Sequence, residues 1–323
     1  MSDPLIAALI LAALLAVATA WATAIGRWRA DHRLLAWQPR REVPWGLVDV
    51  VLAMVVLFAA TFLAVALLRQ GAGDISPDEM RSQDRAAELL LQSAASVFTV
   101  FVSLAVVVLW QRATPRDMGL AWRTIGNDLR LGVIAFLLLA PPTYLLQFLL
   151  VTIVDYESKH PLIELLRNDP SSQLVVAAIV SAVLVAPVVE EYFFRLLFQG
   201  WLEKFARKPA GPVEVWLGDG AGKNGQEPID APSDQAIGTS CWETSAKPPD
   251  ETLSPPALWP IFVSSGVFAL LHFSHGPDWI PLFFLACGLG YLYRQTHRIV
   301  PCIVVHFLLN AVSMGMFLFE VYG

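Results

Sequence analysis

Two adjacent carboxylates and an arginine interrupt an apolar run in the stretch Val188-Val189-Glu190-Glu191-Tyr192-Phe193-Phe194-Arg195. Farther along, His272 follows Phe268-Ala269-Leu270-Leu271, and His306 and Asn310 bracket Phe307-Leu308-Leu309. At membrane depth such residues are expensive. A charge near the centre of a bilayer costs about 2.5–3.5 kcal/mol on insertion scales, so polar side chains there face the bundle interior and are either satisfied or used. Together they offer a base, two imidazoles and an amide, more than a packing cluster needs.

Spacing divides the roles. On a helix, Glu191 and Arg195 are four apart and share a face, which lets them pair. Glu190 is turned about 100° away from that face. Arg195 therefore commits Glu191 to architecture and leaves Glu190 for chemistry. His306 and Asn310 are also four apart and share a face. At about 1.5 Å per residue, Glu190 and His272 lie about 20 Å from the helix ends near Phe205 and Trp259, Asn310 about 17 Å from Ile299, and His306 nearer 10 Å. These depths overlap. The bland reading is a polar cluster that only locks helix packing. A carboxylate pair, two imidazoles and an amide on three helices at similar depth favour a site. The same donor set leaves a metal reading open. Glu190, His272 and His306 could bind zinc with one position free for water, although the chain has no His-Glu-x-x-His helix. The residues leave the cofactor undecided between none and Zn2+.

The elements that must carry these residues are membrane helices. Of 323 residues, 56% are hydrophobic and 15% charged. Apolar runs of about 18 or more residues read as spans. They predict an all-α, polytopic transmembrane bundle of about eight helices: Pro4 to Ile25, Trp45 to Leu68, Leu89 to Trp110, Leu131 to Val154, Leu174 to Phe205, Leu258 to Phe273, Trp279 to Tyr293 and Ile299 to Tyr322. The sixth and seventh are short for spans. Pro141-Pro142 predicts a kink in the fourth. Ala18-Thr19-Ala20 imitates a signal-peptidase site, but the basic residues follow the apolar core instead of preceding it, so the first run reads as a retained helix with its N-terminus outside. Eight spans from that start put sixteen Lys and Arg in cytoplasmic loops and five in the opposite ones, as the positive-inside rule requires. The chain divides into N-terminal helices over 1–172 and a core over 173–318. Residues 204–256, rich in Gly, Pro, Ser and acidic side chains, read as a disordered cytoplasmic insertion in that core.

Net charge is −6 with no basic block, which argues against a nucleic-acid partner. Cys241, Cys287 and Cys302 have no paired spacing; the last two read as apolar packing residues. His275, beside Gly276-Pro277, reads as interfacial. His297, between Arg294 and Arg298, reads as solvated in a cytoplasmic turn, and Ser264-Ser265-Gly266 as small residues at a helix interface.

Glu190-Glu191-x-x-x-Arg195, Phe268-x-x-x-His272 and His306-x-x-x-Asn310, in that order on successive hydrophobic helices, resemble the CPBP family of intramembrane proteases. That family includes the type II CAAX prenyl endopeptidase and bacteriocin-processing-like proteins. The resemblance covers roughly Leu174 to Met316, and the insertion is longer than the family pattern. It implies an endopeptidase in which Glu190 activates a water, His272 helps hold it, and His306 with Asn310 stabilise the oxyanion, with Glu191 and Arg195 in support. It also implies a multi-pass protein of the cell membrane acting on membrane-embedded or lipid-anchored peptides and proteins. Two other classes compete: a non-catalytic scaffold or immunity protein, and a proton-coupled transporter. The two halves lack the matching interrupted helices of the common transporter plan.

Overall fold

A computed structural model describes residues 3–39, 42–72, 81–154, 161–169, 171–207, 213–221, 255 and 257–322. Among the described residues the chain is helical without strands. The helices are α1 (Asp3–Asp31), α2 (Leu47–Ala72), α3 (Ser82–Leu109), α4 (Ile125–Val154), α5 (Pro161–Asn168), α6 (Ser172–Arg207), α7 (Glu214–Leu217), α8 (Trp259–Leu271), α9 (Trp279–Thr296) and α10 (Ile299–Tyr322). Six of them, α1 to α4, α6 and α10, are long and apolar enough to cross a membrane. The protein is a multi-pass membrane protein. The predicted sixth and seventh spans are α8, with 13 residues, and α9, with 18. At 1.5 Å per residue α8 reaches about 20 Å, short of a hydrocarbon core of about 30 Å. α4 runs through Pro141 and Pro142 as one helix of 30 residues.

Contacts sort the helix ends into two groups. At one end, Arg298 at the start of α10 meets Asp128 of α4 (2.7 Å), and the Gln38 backbone N–H donates to the Gln295 carbonyl (2.8 Å). At the other, Arg69 of α2 meets Glu88 of α3 (3.3 Å), the Gln147 amide of α4 donates to Asp278 before α9 (2.6 Å), and Arg167 of α5 meets Glu320 of α10 (3.1 Å). The first group holds the connections that the charge count assigns to the cytoplasm. Cys241, in the insertion, is expected to react with a membrane-impermeant maleimide in inside-out vesicles and not in right-side-out ones. Labelling from the outer face would overturn the orientation.

Two expectations need correction. His297 is not solvated: it is 4% exposed, in a left-handed turn (φ 52°), with Nδ1 3.6 Å from a Glu203 carboxylate oxygen and its ring edge-on to Tyr293 and Trp37. The turn between α9 and α10 is too tight to leave the imidazole in water, and the end of α6 packs beside it. The insertion expected over 204–256 begins as folded chain. Residues up to Arg207 continue α6, and 213–221 dock on the bundle. The remainder of that insertion, 208–212, 222–254 and 256, lies outside the described residues, as does the side chain of His275. Cys302 is fully buried and Cys287 half-buried, in keeping with packing roles.

Candidate active site

α6 is irregular where it carries the glutamates. Its turns widen to π-helix over Ile179–Val185, tighten to α over Ala186–Glu191, and widen again over Tyr192–Gln199. Single π turns inside α-helices cluster at functional sites because they break the side-chain register and free a carbonyl. Here the Ala186 N–H reaches back to Ser181, and Pro187 has no N–H to offer. The Ala182 carbonyl is left without a backbone donor. Asn310 of α10 takes it, Nδ2 donating at 2.9 Å. One amide hydrogen of Asn310 is thus a clamp on the widened turn, and the second is left for other work.

Glu191 and Arg195 form the expected pair. Arg195 Nε lies 3.1 Å from Glu191 Oε2, and neither side chain is exposed at all. The pair does not stand alone, because His306 Nδ1 lies 2.9 Å from Glu191 Oε1. A carboxylate paired with arginine only accepts, so Nδ1 carries the proton and donates. That bond fixes the ring and turns Nε2 toward Glu190, whose Oε2 is 3.7 Å away, beyond hydrogen-bond length. The Glu190 side chain keeps 27% of its surface exposed. The two neighbouring glutamates therefore differ as the spacing predicts: one is sealed into a network, the other borders open space.

Arg195 is held on its far side. Its Nη1 donates to Ser264 Oγ (3.3 Å), Ser264 donates to the Phe194 carbonyl (2.9 Å), and the guanidinium lies 5.7 Å from the centre of the Phe268 ring. Ser264 is thus a site-supporting residue that the small-residue reading missed. The signal was present, since Ser264, Phe268 and His272 recur every four residues along one face of α8. Tyr144 of α4 was also missed: its hydroxyl donates to the Leu309 carbonyl (3.0 Å) and lies 3.0 Å from Ser313 Oγ, bracing the turn of α10 that holds Asn310.

His272 caps the C-terminal end of α8, where the chain leaves the helix (φ −99°, ψ 5°). Its Nδ1 donates to the Phe268 carbonyl (2.9 Å), and the Phe268 ring touches both His272 (4.8 Å) and His306 (6.2 Å). Among the described residues no three His, Cys, Asp or Glu side chains are arranged to hold a metal ion. Glu190, His272 and His306 thus do not form the zinc set that their types allowed.

One family model, described as "Rce1-like: Type II CAAX prenyl endopeptidase Rce1-like", matches residues 245–312. The match supports the CPBP family of intramembrane proteases. It spans Phe268, His272, His306 and Asn310, and it begins after the glutamates on α6. The α6 motif is joined to the matched part by contact: Glu191 to His306, Arg195 to Ser264, and Ala182 to Asn310. No curated protein and no solved structure matches the chain.

Proposed function

We propose that this protein is an intramembrane endopeptidase that hydrolyses peptide bonds of membrane-embedded or lipid-anchored substrates with a water activated by Glu190. The observation that carries the reading is His306 held between the two glutamates: Nδ1 committed to Glu191 at 2.9 Å, Nε2 facing Glu190 at 3.7 Å. That separation excludes a direct bond and lets one water touch both groups. Glu190 takes a proton from that water as its oxygen adds to the scissile carbonyl, and His306 Nε2 accepts the water's other hydrogen and fixes its direction. The second amide hydrogen of Asn310 is the donor available to the oxyanion. When the C–N bond breaks, the proton on Glu190 passes to the leaving amine. This reading uses His306 to hold the water, with its Nδ1 proton committed to Glu191.

A packing-only polar cluster would account for Glu191, Arg195 and Asn310, each of which has a structural partner. It gives no reason for a part-exposed carboxylate opposite the free nitrogen of a fixed imidazole. The reading is tested by comparing membrane-protein fragments between cells carrying the wild-type chain and Glu190→Ala. Fragments that vanish with the variant support the protease and name its substrates. Identical fragment sets, with both proteins present at equal level in the membrane, favour the scaffold.

A further inference from the structure

Residues 213–221 are the folded stem of the insertion, and they make one face for the bundle and another for something else. Inward, Val215 is 1% exposed and its carbonyl accepts from Trp201 Nε1 (2.9 Å). The Leu217 carbonyl accepts from Gln111 Nε2 (2.8 Å), whose Oε1 in turn accepts from the Gly220 N–H (2.8 Å). The Asp219 N–H donates to the Pro44 carbonyl (2.7 Å), and its carboxylate meets the Lys204 ammonium (3.0 Å). Gly218 supplies a left-handed turn (φ 84°) tight against Gln111 and Gly46, where no larger residue would fit. A segment this firmly tied has no need of apolar side chains on its outer face. Yet Val213, Trp216 and Leu217 are 60%, 45% and 44% exposed.

The height of these side chains is set by their neighbours. Trp216 lies edge-on to Phe205 in the last turn of α6 (6.1 Å), and Phe205 lies edge-on to Trp259, the first residue of α8 (6.2 Å). Trp201 continues the row toward the membrane interior (5.8 Å from Phe205). Rows of Trp and Phe at span termini are where amphipathic rings meet the headgroup layer. Beside Trp259, Leu258 and Phe262 are also exposed at the same end of α8. Lys204 does not compete for water here, since its charge is taken up by Asp219 and the Trp45 carbonyl.

We propose that the stem is a membrane-interface clasp: Val213, Trp216 and Leu217 enter the headgroup layer between the ends of α6 and α8, while Asp219, Val215 and Gly220 lock the same segment to the helices. The partner is the bilayer itself. The clasp fixes where the insertion leaves the membrane, and it does so without reference to catalysis. The test is a nitroxide label on Trp216→Cys in the full chain, with Cys241→Ser, Cys287→Ala and Cys302→Ala, reconstituted in phosphatidylcholine vesicles. Val213→Cys is the second labelled variant and Leu258→Cys the lipid-facing reference. Both stem labels are expected to collide with oxygen several-fold more readily than with a water-soluble nickel chelate, as the reference does. Greater access to the nickel chelate would put the stem in water. Protection from both quenchers would put it under protein. Either outcome overturns the proposal.

Discussion

Glu190→Gln is expected to abolish cleavage of a reconstituted substrate while the protein folds at wild-type yield and still binds that substrate. The amide has nearly the shape of the carboxylate, and Glu190 has no part in the buried Glu191–Arg195 pair, so little stability rides on it. What is lost is the ability to take a proton. General-base catalysis alone is worth about 10²–10⁴ in rate, and here the base also delivers the proton to the leaving amine. Asn310→Ala differs in kind. Losing one oxyanion donor should slow the chemical step about 10²–10³-fold, and the Ala182 carbonyl, left without a donor, should cost about 1–3 kcal/mol of stability as well. Single-turnover cleavage and thermal unfolding in detergent separate the two effects. Chelators should leave activity unchanged. Full activity in Glu190→Gln would eliminate the glutamate base, and an unshifted midpoint in Asn310→Ala would eliminate the clamp.

The part of this site that obeys regular helical geometry was legible in the sequence. Four-residue spacing predicted the Glu191–Arg195 pair, whereas His306, counted nearer the helix end than the glutamates, in fact meets Glu191. Irregular backbone was not legible. Hydrophobic periodicity reports an average turn, and α6 departs from that average on both sides of the glutamates. Pro187, five residues after Ala182, was the one local hint that a carbonyl there would need a side chain from elsewhere. Contacts between distant segments were hidden for another reason. His297 sits among charged residues and reads as solvated, and its burial arises from Glu203, 94 residues earlier in the chain. The stem of the insertion was lost in composition: nine folded residues inside a Gly- and Pro-rich stretch carry too little apolar character to stand out.

Arg195→Met is expected to be the most destabilising single change at the site. It strips the fully buried Glu191 of its cation, and breaking a buried pair from one side costs about 3–5 kcal/mol. The sequence alone suggests that any apolar pair of similar size would restore the loss. The His306 contact changes that expectation, because an apolar residue at 191 leaves the Nδ1 proton of His306 buried without an acceptor. Two double variants separate the terms. Glu191→Gln/Arg195→Met keeps a carbonyl oxygen for Nδ1 and should recover most of the lost stability. Glu191→Leu/Arg195→Met should fall short of it by about 1–3 kcal/mol, the cost of an unmet buried donor. Activity should follow the imidazole, since a ring released from Glu191 no longer aims Nε2 at Glu190. The Gln double variant should therefore keep measurable cleavage and the Leu double variant none, with unfolding midpoints in detergent and single-turnover rates as the two readouts. If Arg195→Met lowers the midpoint and neither double variant recovers any of it, the pairing is wrong. Equal midpoints and equal rates for the two double variants would show that Glu191 does not hold His306.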